Sequence, residues 1–255
     1  MMNAMFIKAS ATDAAQLATM PGVVRVLPVR KVKMFLDRAV TLTRVTDVWN
    51  QVGTDNAGAG IKIAIIDTGI DVGHAGFQDS SLTIPVSFPR ANNSTDLAYT
   101  NSKVIVARSY VDMLSSPDPD VSARDRVGHG TALAMIAAGV RNSGPLATIA
   151  GVAPKAWLGS YKVFGSPGVN DNAGDDAVMK AMDDAVADGM DVISMSLGSD
   201  IAPRLADDPD VNAVERATRA GVIVIVSAGN NGPGSGTIAS PATAPSAIAT
   251  GASTN

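Results

Sequence analysis

The sequence predicts an α/β layered sandwich, a mostly parallel sheet flanked by helices. Three observations carry that prediction. Strand-length runs alternate with helical stretches along most of the 255 residues, the order that builds strand–helix–strand units. Several runs, such as VIVIV at 222–226, are almost continuously apolar and β-branched, which is how strands covered on both faces read. Glycine is plentiful (24) and aromatic residues are scarce (4%), as expected where helices pack closely on a sheet through small side chains.

Residues 11–20 read as a short helix stopped by Pro21-Gly22, and VVRVLPV (23–29) reads as a strand. The mixed stretch RKVKMFLDRAV (30–40) follows, and the change of texture sets a small leading unit at 1–38 ahead of a main domain at 39–255. TRVTDVWNQV (43–52) reads as a short helix and GTDNAGAG (53–60) as a glycine-rich turn. Six strands are expected after it: IKIAII (61–66), VIVARSYV (104–111), WLGSYKVF (157–164), DVISMSL (191–197), VIVIVSA (222–228) and SAIATGA (246–252). Helices are expected at 129–138, 174–188 and 209–220. In the second, Ala177, Ala181, Met182, Ala185 and Val186 mark one side, with Asp175, Asp176, Asp183, Asp184 and Asp188 elsewhere. The polar intervals 78–102 and 112–126 read as surface loops.

A net charge of -4 offers no basic field for nucleic acid, and no Lys/Arg block points to an anionic membrane. The absence of cysteine excludes a disulfide scaffold, a thiol nucleophile and a Cys-ligated metal. The start lacks a basic segment followed by an apolar one, so no signal peptide is read. The apolar runs are of strand length, and no membrane span is expected.

Chemistry-bearing residues gather where strands end. His129, one of two histidines, lies between two glycines in RVGHGTALAMIAAG, where an Ala-rich helix begins. A histidine there is placed to be presented rather than packed. Asp67 closes the apolar strand IKIAII, and such a carboxylate is costly to bury unless paired. Asn230 stands in the glycine turn after VIVIVSA and can donate from its amide. Ser196-Leu197-Gly198 ends another strand, with a glycine that lets a second backbone approach. In open parallel sheets ligands collect at the carboxyl ends of the strands. An acid, a base and an amide donor there are three parts of an acyl-transfer site.

IAIIDTGID, GHGTALAMIAAG, SMSLGS and SAGNNGP, in this order, resemble the motifs of the subtilisin-like serine proteases, the subtilases of peptidase family S8. The resemblance spans about residues 40–255. It implies a subtilisin-like fold and a serine-type endopeptidase acting on polypeptide substrates, with Asp67 and His129 as two members of the triad. It also implies Asn230 as the oxyanion donor and Ser196, Leu197 and Gly198 as the segment that pairs with extended substrate. Residues 1–38 resemble the end of an inhibitor-type propeptide, which makes the chain's own propeptide an expected partner and an extracellular or cell-envelope location the expected one.

The sequence departs from that family in two places. Members carry the nucleophile in a Gly-Thr-Ser turn opening a later helix. Here Ser235, Ser240, Ser246 and Ser253 have no such setting. The expectation is therefore a C-terminally truncated catalytic domain, inactive alone, with no nucleophile in the chain and some apolar sheet surface uncovered. Its ending, SPATAPSAIATGAS, resembles the lead into a protease-associated domain inserted before the serine in one subgroup. The second departure concerns calcium. Many members have His-Pro-Asp after DTGID, whereas this chain has His74-Ala75-Gly76, so the usual calcium motif is altered. Asp79 is the conceivable substitute, and no metal ligand is assigned.

Plainer readings stand beside these. Asp71 braces the turn after Asp67, His74 is a loop residue, and DPDVSARDR (118–126) is a solvated loop rather than a metal cluster. A nucleotide-binding domain would need a G-x-G-x-x-G after its first strand or a G-x-x-x-x-G-K-[ST] loop, and the chain has neither. A noncatalytic remnant or binding module built on the same fold is the alternative that the missing serine keeps open.

Overall fold

The computed structural model describes residues 10–26, 36–144, 147–199 and 203–252. The chain divides into two compact units, Met1–Phe35 and Leu36–Asn255. In the first, helix α1 (Ala11–Leu17) opens on a reciprocal cap: Asp13 N donates to the Ser10 hydroxyl at 3.1 Å, and Ser10 N donates to the Asp13 carboxylate at 3.0 Å. The strand expected at 23–29 is not borne out for its described part. Residues 23–26 form none, and Val24 is fully exposed. A strand exists through its ladder, and no described segment pairs with this one. Residues 27–29 lie outside the described ones.

The second unit begins with two short helices, α2 (Leu36–Leu42) and α3 (Val45–Val52). The stretch read as mixed, 30–40, is helical over its described residues 36–40. The sheet is built from β1 (Lys62–Asp67), β2 (Arg90–Ala91), β3 (Val104–Ser109), β6 (Trp157–Lys162), β7 (Val192–Met195), β8 (Ile223–Ser227) and β9 (Ile248–Thr250). A small antiparallel hairpin, β4 (Asn142–Ser143) and β5 (Thr148–Ile149), stands apart. Three helices connect the strands: α4 (His129–Ala138), α5 (Asp175–Ala187) and α6 (Pro209–Arg219). The strand order is β2-β3-β6-β1-β7-β8-β9, with every pair parallel. Sequence reading misses β2 and the hairpin, whose two-residue strands are too short to show a period.

β1 sits at the centre, and the chain leaves it first toward β3 and later returns across it to β7. Such a reversal opens a crevice at the carboxyl edge of a parallel sheet. Two cores flank the sheet. On one face α5 and α6 pack through Ala177, Ala181, Met182, Val211 and Val214 onto Ala64, Ile66, Ile193, Met195, Val224 and Val226. On the other, Ala134, Met135 and Ala138 of α4 pack onto Ile63, Ile65 and Leu158.

The connections β3–α4–β6, β6–α5–β7 and β7–α6–β8 all advance along the sheet in one direction, yet α4 lies on the opposite face from α5 and α6. The α4 crossover therefore has the opposite hand, against the strong right-handed preference of such units. On the α4 face the register continues Ile63 to Val192 to Ile223, and Ile225 to Ile248. There Ile223 and Ile248 are 51% and 52% exposed, so α4 covers the middle of the sheet and leaves this corner open.

One expectation for α5 is corrected. Asp188, assigned to its polar side, is buried. Its carboxylate accepts from Arg108 Nε and Nη2, both at 2.8 Å, from Arg90 Nη1 at 3.0 Å and from the Tyr161 hydroxyl at 2.8 Å. It thereby ties the end of α5 to β2, β3 and β6. Burial alone would push this carboxyl up, but the bonds from Arg108, Tyr161 and Arg90 hold it below its ordinary range. A depressed carboxyl stabilises the fold above its unfolded value of about 3.9, and that contribution disappears as pH falls through the folded value. Asp188→Ala should cost on the order of 3 kcal/mol in urea denaturation at pH 7, because two guanidiniums lose their carboxylate. The deficit should shrink toward pH 2, and an equal deficit at both pH values would contradict this account.

Candidate active site

The site begins with the way α4 meets the end of β1. An α-helix starts with unpaired backbone N–H groups, and here two are taken up by the strand end and its neighbouring loop. Gly130 N donates to the Thr68 hydroxyl at 2.8 Å. Thr131 N and its hydroxyl donate to Asp125 Oδ2 at 3.2 and 2.5 Å. Asp125 Oδ1 also receives Val127 N and Gly128 N, at 2.9 and 2.8 Å. The approach is so close that a Cβ on Gly130 would collide with the Gly69 carbonyl oxygen. Gly69 itself has φ +111, left-handed backbone that favours glycine. Each glycine has a physical reason for its place.

This clasp sets the first residue of α4, His129, over the end of β1. His129 Nδ1 lies 2.8 and 3.0 Å from the two Asp67 carboxylate oxygens. The Asp67 side chain is fully buried and the His129 side chain is 52% exposed, so the pair runs from the sheet interior to solvent. Thr68 N adds a 2.7 Å bond to Asp67 Oδ1. Burial pushes the Asp67 carboxyl above its ordinary range, against the pull of His129 and the Thr68 amide.

His129 opens onto a cleft of about 240 Å³ whose walls include Thr68, Val127, Phe164, Asn170 and Ser196. One wall is braced by Asp118, whose carboxylate accepts from Ser166 N and Oγ and from Asn170 Nδ2 at 2.6–2.9 Å. Of the segment 196–198, Ser196 lines the cleft, Leu197 packs on the α5/α6 core, and exposed Gly198 leaves no room for a Cβ beside Ala239 and Ser240. Asn230 stands exposed in the turn after β8, on the same carboxyl edge of the sheet, and is not among the residues lining this cleft.

The other singled-out residues also have definite places. Asp71 braces its turn, accepting from Gly73 N at 3.0 Å, while its own N–H donates to Thr131 Oγ1 at 2.9 Å. His74 accepts from Gly76 N at 3.1 Å and caps a short 3₁₀ turn. Asp79 binds Ser81 N and Oγ at 2.9 and 2.5 Å and faces the Lys155 ammonium at 3.3 Å. An ammonium in that position does not fit a calcium ligand set. Among the described residues no cluster of three or more His, Asp or Glu could hold a metal ion. The hydroxyl of Ser240 donates to Asp208 and that of Ser246 to Glu215, each at 2.7 Å. Ser235 is exposed, and Ser253 lies outside the described residues.

The segment 118–126 is a partly exposed loop that also has structural contacts. Three of its carboxylates hold structure: Asp118 the cleft wall, Asp120 the Ser122 hydroxyl and Arg126, and Asp125 the start of α4. Sequence reasoning also misses Thr68 and Thr131. The available signal was an Asp shortly before a helix start, but helix caps are sought next to the first turn, and Asp125 reaches in from further upstream.

The chain matches the Subtilase family model over residues 58–255. It is 34% identical to the subtilisin-like protease SBT4.4 of Arabidopsis thaliana over 259 residues, covering 94% of this chain and 32% of that protein. It is 31% identical to the PI-type proteinase of Lactococcus lactis subsp. cremoris over 239 residues, covering 90% of this chain and 12% of that protein. The chain thus spans a third or less of these relatives. No helix among the described residues is long and apolar enough to cross a membrane.

Two outcomes follow from the geometry. Asp125→Ala should destabilise the chain by about 1–2 kcal/mol, the scale of a lost helix cap, and Asp125→Asn by less. Equal midpoints for Asp125→Ala and the unaltered chain in urea would contradict the clasp. Asp67→Asn should not lower the midpoint at pH 7. A carboxyl raised on folding weakens the fold as pH climbs from about 3.9 through the folded value. Both Oδ1 bonds, from His129 and from Thr68 N, can be kept by an amide oxygen. A clear loss of stability in Asp67→Asn would show that the charge itself holds the site together.

Proposed function

This chain belongs to the subtilase family, and from that premise we propose that it carries the acid–base half of a serine-type endopeptidase. Asp67 holds the Nδ1–H of His129 and leaves Nε2 to act as the base. A serine hydroxyl passes its proton to Nε2 as its oxygen bonds to the scissile carbonyl carbon. The same proton then goes to the leaving amine as the C–N bond breaks. Asn230 serves the oxyanion, and the Ser196–Gly198 segment pairs with an extended polypeptide. Val127 and Phe164 beside His129 favour a small apolar side chain near the cleaved bond. The observation that carries this reading is the contact of a fully buried carboxylate with a half-exposed imidazole at 2.8 Å, at the crevice where the sheet reverses direction.

The serine is not assigned within these 255 residues. Ser240 and Ser246 have their hydroxyls on carboxylates elsewhere, and Ser235 sits in a glycine–proline turn. Residues 1–38 are read as the end of an inhibitor-type propeptide, and an extracellular or cell-envelope location goes with this function.

Two measurements test the proposal. A short extended peptide of small apolar residues, added to the ¹⁵N-labelled chain, should shift the backbone resonances of His129 and Ser196. A spectrum unchanged up to the solubility of the peptide would refute substrate binding at this cleft. A fluorophosphonate probe, which labels an activated serine, should leave the purified chain unlabelled. Stoichiometric labelling that vanishes in His129→Ala would place the nucleophile among the serines present.

A further inference from the structure

Beneath the cleft lies a cation to which the acid–base reading gives no role. Lys162 closes β6, is wholly shielded from solvent, and is the cross-strand neighbour of Asp67. Its Nζ donates to the Thr68 carbonyl at 2.9 Å. Thr68 is the residue whose N–H bonds the Asp67 carboxylate and whose hydroxyl receives Gly130 N of α4. One residue therefore links strand end, helix start and buried ammonium. The Lys162 bond goes to the carbonyl and leaves the Asp67 carboxylate to His129.

Taking an ammonium out of water is costly unless nearby charge compensates. Burial weakens the hold of Lys162 on its proton, and the charges opposing that are Asp125 first, then Asp118 and Asp120, with Arg126 acting the other way. Asp120 has its own partner in Arg126 at 2.5 Å. Asp118 and Asp125 are met by hydroxyl and amide donors. These two carboxylates brace the cleft wall and clasp the His129 helix. The buried cation thus bonds the residue that links the end of β1 to the start of α4.

We propose that Lys162 is the positioning residue of the Asp67–His129 pair, fixing the peptide that follows Asp67 through its bond to the Thr68 carbonyl. The proposal rests on the reading of Asp67 and His129 as an acid–base pair. Lys162 touches no substrate, and its effect passes through Thr68. A lysine that only stabilised the sheet would have no reason to act on His129 more than another buried lysine does. Lys103 supplies that comparison: it is equally shielded, precedes β3 at the opposite edge, and its Nζ donates to the Pro154 and Ala156 carbonyls at 2.6 and 2.5 Å.

The test follows the low-field proton resonance of a His–Asp hydrogen bond, here that of His129 Nδ1–H, by NMR of the whole chain. Lys162→Met, folded by far-UV circular dichroism, should lose this resonance or move it clearly upfield, while Lys103→Met should keep it in place. Lys162→Gln retains a donor for the Thr68 carbonyl without the charge. A smaller change in Lys162→Gln than in Lys162→Met would support the bond to the Thr68 carbonyl as the basis of the role. An unchanged resonance in folded Lys162→Met, or the same loss in Lys103→Met, would overturn the proposal. If Lys162→Met and Lys162→Gln both fail to fold while Lys103→Met folds, Lys162 serves the fold as a whole and the proposal also falls. Absence of the resonance in the unaltered chain would instead remove the Asp67–His129 reading, and this inference with it.

Discussion

The hydrogen bond from the Gly130 amide to the Thr68 hydroxyl, 2.8 Å long, is the contact on which the arrangement depends. It docks the first turn of α4 against the last residues of β1, closer than a side chain at position 130 would permit. Because the imidazole belongs to the residue before Gly130, the same contact carries His129 to the Asp67 carboxylate. Asp125 takes the next free helix donor, so the helix start is satisfied from two directions. The unusual hand of the β3–α4–β6 crossover brings α4 to the face where this meeting takes place.

Buried carboxylates are handled in two contrasting ways. Asp188 is buried among two arginines and a tyrosine hydroxyl, and its partners outweigh its burial. Asp67 is buried with an imidazole and one amide, and burial wins. The first pattern belongs to a structural tie. The second leaves a carboxyl above its ordinary range, a local cost that the proposed acid–base role would account for.

Much of this was legible in the sequence. Near-continuous apolar, β-branched runs marked several of the six main strands, because a strand buried on both faces must be apolar throughout. Asp67 at the end of one such run and His129 between glycines at a helix start stood out because neither suits a core, and the structure brings them together. What stayed hidden acts through contacts that no local period marks. Asp125 looked like part of a solvated loop because its partners are backbone amides around a helix start, and Asp188 looked like a polar-face residue because its arginines come from strands roughly 80–98 positions away. Lys162 reads as part of a strand, since nothing local marks a lysine whose acceptor is the Thr68 carbonyl across the sheet. The face on which α4 lies could not be read either, because a helix that is apolar all round gives no direction.

The central claim is that Asp67 and His129 act together as a base, with or without a serine beside them. Hydrolysis by water of an ester with a poor leaving group and an activated acyl carbon, such as ethyl dichloroacetate, tests it most directly, since an imidazole acts on such an ester as a general base for water rather than as a nucleophile. The unaltered chain should exceed His129→Ala and Asp67→Asn in rate, while His74→Ala, which removes the other histidine, should match the unaltered chain. If His129→Ala hydrolyses the ester as fast as the unaltered chain, the pair is not a working base and the account fails.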